Sequence, residues 1–71
     1  MMPGSLVVSK WSDLSAYDPD TGLYHGTIER PGLMICLHFY DAKDVWQRVL
    51  LMSSDGTIIS TYLNSVKDVL R

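Results

Sequence analysis

Up to residue 40 the apolar positions alternate with polar ones or run unbroken, as strands require. Residues 1–7 are expected to be flexible, with Ser5–Ser9 a short extended lead-in. In Trp11–Tyr17, Leu14 and Ala16 alternate with polar residues, which predicts a first strand. Asp18-Pro19-Asp20-Thr21-Gly22 interrupts it, Leu23–Arg30 predicts a second strand, and Pro31-Gly32 marks a turn. Leu33–Tyr40 predicts a third strand, the most hydrophobic of the set.

From residue 41 the pattern supports two readings. As a strand, Val45–Met52 pairs with Thr57–Leu63 through Ser54-Asp55-Gly56. As a helix, Asp41 is the N-cap, Asp44 lies three residues on, and Gly56 is the stop. Val45, Trp46, Val49 and Leu50 then share one stripe while Gln47 and Arg48 face water, and this reading is preferred. Tyr62, Leu63, Val66, Val69 and Leu70 repeat the helical spacing. The predicted fold is therefore α+β: a three-stranded antiparallel meander followed by two helices packed on one face, in a single domain spanning 1–71.

Side chains of a strand point alternately to its two faces. Leu33, Ile35, Leu37 and Phe39 are all apolar and are expected under the helices; Met34, Cys36, His38 and Tyr40 form the opposite, mixed face. A tight turn at Pro31 would bring His25 and Thr27 beside Cys36 and His38. The predicted binding face is thus His25, Met34, Cys36, His38 and Tyr40, an open sheet surface suited to a protein contact.

Composition narrows the choice of partner. Six Lys+Arg against eight Asp+Glu give a net charge of -2, and the basic residues are scattered, which disfavours nucleic acid. The acidic residues are equally dispersed, so no DNA-like stripe exists. No apolar run approaches the roughly 20 residues of a membrane span. Met1–Ser5 lacks the basic and apolar stretches of a signal peptide. The lone Cys36 excludes an internal disulfide and fits a cytoplasmic location.

The order and spacing of the motifs resemble the KTSC domain, a short module named after the C-terminal extension of some lysyl-tRNA synthetases. The likeness runs from about Val8 to Leu70 and rests on Tyr17-Asp18, on Val45-Trp46 where the family opens its first helix, and on Ser54-x-Gly56. The family occurs also as free-standing bacterial or phage proteins, and the resemblance implies RNA binding as an alternative function. Two departures count against it: Cys36 and His38 stand where the family has a Tyr-x-Tyr pair, and Asp41-Ala42 stands where it tends to have Val-Pro.

Three chemical readings compete with a plain binding face. An EF-hand loop starting at Asp18 would need glycine at its sixth position and glutamate at its twelfth. Here the sixth is Leu23 and Glu29 falls inside a strand, so a turn is the better reading. His25, Cys36 and His38 are suitable zinc ligands by type, but flat strands give them neither a fourth ligand nor a tetrahedral arrangement. A Cys–His nucleophile pair lacks a recognisable orienting acid or oxyanion donor. The expectation is a non-catalytic binding module, without metal, cofactor or small-molecule substrate, that binds another protein or itself.

Overall fold

The computed structural model describes residues 2–39 and 47–69. It contains seven strands: β1 (Leu6–Ser9), β2 (Asp13–Tyr17), β3 (Tyr24–Glu29), β4 (Met34–Phe39), β5 (Arg48–Met52), β6 (Ile58–Tyr62) and β7 (Val66–Asp68). They form one antiparallel sheet in the order β3-β2-β6-β5-β4-β1-β7. A 3-10 turn, Leu63–Ser65, precedes β7.

The α+β expectation is overturned: among the described residues there is no α-helix. The preferred helix after Asp41 is replaced by β5, which pairs with β6 over its whole length, from Arg48↔Tyr62 to Met52↔Ile58. Asp41, Asp44, Val45 and Trp46 lie outside the described residues. Val49 and Leu51 are fully buried while Leu50 and Met52 are half-buried, a period of two and not 3.6. The second expected helix is also absent; the turn and β7 occupy its place. Among the described residues, no helix is long and apolar enough to cross a membrane.

The meander is corrected as well. β2 and β3 form the expected hairpin, but β3 does not pair with β4; it is an edge strand, and β4 lies between β5 and β1. The chain leaves β3 through Arg30, the only described non-glycine residue with a positive φ (48°), immediately before Pro31. That connection carries β4 away from β3 instead of folding it back alongside.

Val7, Leu14, Ala16, Met34, Cys36, Val49, Leu51, Ile59 and Val66 make one buried cluster. Because β2 and β7 lie near opposite ends of the sheet order yet feed the same core, the sheet curls around it like an incompletely closed barrel. The curl also reverses the expected faces. Met34 and Cys36 point inward, where Cys36 pairs with the buried Leu51, whereas Ile35 pairs with Met52 on the outside. Between Cys36 and His38 the register slips by one residue, leaving Leu37 as the extra residue of a bulge.

The β2–β6 junction is narrow. Its backbone register consists of Tyr17↔Ser60, and the buried Thr61 hydroxyl adds a bond by donating to the Ser15 carbonyl at 2.8 Å. Turn chemistry elsewhere follows the sequence. The Asp18 carboxylate accepts from the backbone N–H groups of Asp20 (2.7 Å) and Thr21 (3.2 Å), and Gly22, at φ 76°, completes the bend.

The β5–β6 loop is held by Asp55, which accepts from the Ser53 hydroxyl and from the Thr57 N–H at 3.0 Å. These bonds, the Ser53 one foremost, lower the Asp55 carboxyl from 3.8 to about 2. A depressed carboxyl stabilises the loop fully above the unfolded value, and that contribution is lost as pH falls through the folded one. The loop is therefore expected to loosen between about pH 4 and pH 2. The Thr57 amide resonance should titrate with a midpoint near 2. In Asp55→Asn that transition should vanish.

Candidate binding surface

The expected binding residues are not brought together. Met34 and Cys36 are 1% and 0% exposed, inside the core. His38, past the Leu37 bulge, lies on the exposed side. His25 is exposed on β3, with β2, β6 and β5 intervening before β4. Tyr40 lies outside the described residues. Burial pushes the Cys36 thiol up, the opposite of what a nucleophile or metal-ligating thiolate needs. Among the described residues, no group of three His, Cys, Asp or Glu is placed to hold a metal ion.

The outer face of the sheet carries a different arrangement. Leu6 pairs with Ile35, Ile35 with Met52, and Met52 with Ile58. These four apolar side chains form one in-register row across β1, β4, β5 and β6, about 14 Å wide at ordinary strand spacing. Leu6 (45%) and Ile58 (48%) are exposed, and Ile35 and Met52 are half-buried. The half-buried Leu50 continues the apolar surface one row further on, opposite His38.

Beside it sits an aromatic cluster around a cation. Arg48 lies over the rings of Tyr17 (4.6 Å) and Tyr62 (4.9 Å). Its guanidinium donates to the Gly22 carbonyl at 3.0 Å and to the Tyr62 hydroxyl at 3.3 Å. Tyr17 meets Tyr62 and Tyr24 edge-on, at centroid distances of 5.1 and 5.8 Å. Burial, reinforced by Tyr62 and opposed by Arg48, raises the Tyr17 phenol. The cluster fastens the β2–β3 turn to β5 and β6. Tyr24, 60% exposed, is its outermost ring.

Neither surface was named from the sequence. The strand reading of residues 45–63 held the signal: centring the hairpin on Asp55 places Arg48 opposite Tyr62 and Met52 opposite Ile58. Trp11 is 66% exposed and stands apart from both pairings, while Trp46, expected in the core, lies outside the described residues. Against family models, curated proteins and solved structures the chain has no match. The KTSC likeness thus rests on the short motifs alone.

Proposed function

We infer that this chain is a non-catalytic binding module that docks a protein through the outer face of its sheet. The observation supporting this is the continuous row Leu6–Ile35–Met52–Ile58, whose two ends are exposed. Isolated exposed apolar residues are ordinary, but contiguous ones leave unfavourable surface in water that a partner removes. The RNA alternative draws on the exposed Tyr24 beside Arg48, an arrangement suited to stacking a base. The net charge of -2 weakens that alternative by limiting phosphate attraction.

A photoreactive side chain at Leu6, introduced in the native cell, tests the reading. A protease-sensitive adduct is expected, absent when the probe is moved to the exposed loop residue Asp20. Ile58→Lys should reduce its yield about tenfold or more, as loss of an interface anchor does, without unfolding the domain. An RNase-sensitive adduct would transfer the function to RNA. Absence of any adduct would overturn the docking reading.

A further inference from the structure

We propose that β3 pairs with β3 of a second copy, extending the sheet across a two-fold axis. β3 is an edge of the sheet, and a cleft of about 490 Å³ lined by Ala16, Ile28, Ile59 and the Ser53–Asp55 loop lies beside it. The hydrogen-bond phase shows which backbone groups are available. Arg30 N–H donates to the Ser12 carbonyl at 2.7 Å, so Arg30, Ile28 and Gly26 direct their backbone groups toward β2. Thr27 and Glu29 direct theirs outward. The register skips from Ala16↔Gly26 to Tyr17↔Tyr24, so His25 is the extra residue of a bulge, with no register partner on β2.

An antiparallel copy centred on Thr27 matches this phase. Thr27 faces Thr27 of the second copy, and His25 faces Glu29. Thr27 then meets its counterpart in hydrogen-bonded register, and the outward-directed Glu29 lies opposite the bulge residue His25. The side chains are self-complementary: an imidazole N–H meets a carboxylate. Glu29 already faces the like charge of Asp13 on β2, and His25 of the second copy would supply it with an N–H donor. Exposed edges are commonly protected by charges that repel a copy; this edge sets a carboxylate opposite an N–H donor of its own copy. The contact is small, so the dimer is expected to be weak and concentration-dependent. It does not use the outer-face row.

Sedimentation equilibrium of the full chain over a range of concentrations tests this. Wild type should dimerise, and His25→Glu should raise the dissociation constant at least about tenfold because it places carboxylates opposite one another twice; Glu29→Lys should raise it likewise because it removes the carboxylate that each imidazole N–H meets. Mixing the two variants should restore association. The carboxylate introduced at position 25 of one copy then faces the ammonium introduced at position 29 of the other, and the remaining native Glu29 faces the remaining native His25. Ile58→Lys should leave the dimer intact. A wild type still monomeric at about 1 mM, the weak end of specific binding, would overturn the proposal. So would a dimer indifferent to both charge changes, or one abolished by Ile58→Lys, which would place self-association on the outer face.

Discussion

Leu51→Ala is expected to cost about 2–5 kcal/mol of folding stability, the range for emptying a fully buried leucine site. Leu51 is 0% exposed and lies between Cys36 and Ile59, its buried cross-strand partners. A domain of 71 residues holds only about 4–11 kcal/mol in total, so this substitution removes a large share. Leu50→Ala, one residue away on the outer face and half-buried, should cost about 1 kcal/mol. Urea denaturation of both variants checks more than burial. The helical spacing placed Leu50 on the core stripe, whereas the strand places Leu51 there. A larger loss for Leu50→Ala than for Leu51→Ala would contradict β5.

Arg48→Met should cost about 1–3 kcal/mol, the range for losing charge-assisted hydrogen bonds. The substitution removes the bonds to the Gly22 carbonyl and Tyr62 hydroxyl, together with the stacking on Tyr17 and Tyr62. Met keeps apolar bulk, which isolates the polar contribution from simple loss of packing. Arg48→Lys should not restore it, because an ammonium lacks the planar fork that reaches both acceptors while lying over two rings. Thermal melts give the size of the loss, and near-UV circular dichroism of the tyrosines shows whether their edge-on packing goes with it. An Arg48→Lys variant as stable as wild type would show that charge alone suffices.

Strands β2, β3 and β4 were legible because their ends carry local chemistry. Asp18 and Gly22 mark one boundary, Pro31-Gly32 another, and Leu14 and Ala16 alternate cleanly. Arg48–Met52 was ambiguous for a physical reason. Val49, Leu50, Leu51 and Met52 are apolar in succession, so helical and strand periods both find a greasy face. Sheet order was hidden too, since neighbouring strands in sequence often pair and β3–β4 do not. The predicted site failed through that order and the face reversal. A curled sheet needs an inner lining, and Met34 and Cys36 supply it. The bulge at Leu37, which returns His38 to the outside, has no local sequence mark.

The narrow β2–β6 junction has a mechanical consequence. With Tyr17↔Ser60 as its backbone register and the Thr61 hydroxyl as reinforcement, the hairpin of residues 13–29 meets the rest of the sheet through few backbone bonds. It is the segment expected to detach as a unit before the whole chain unravels, at the cost of uncovering Leu14 and Ala16. Arg48, reaching across to the tip of that hairpin, serves as the latch.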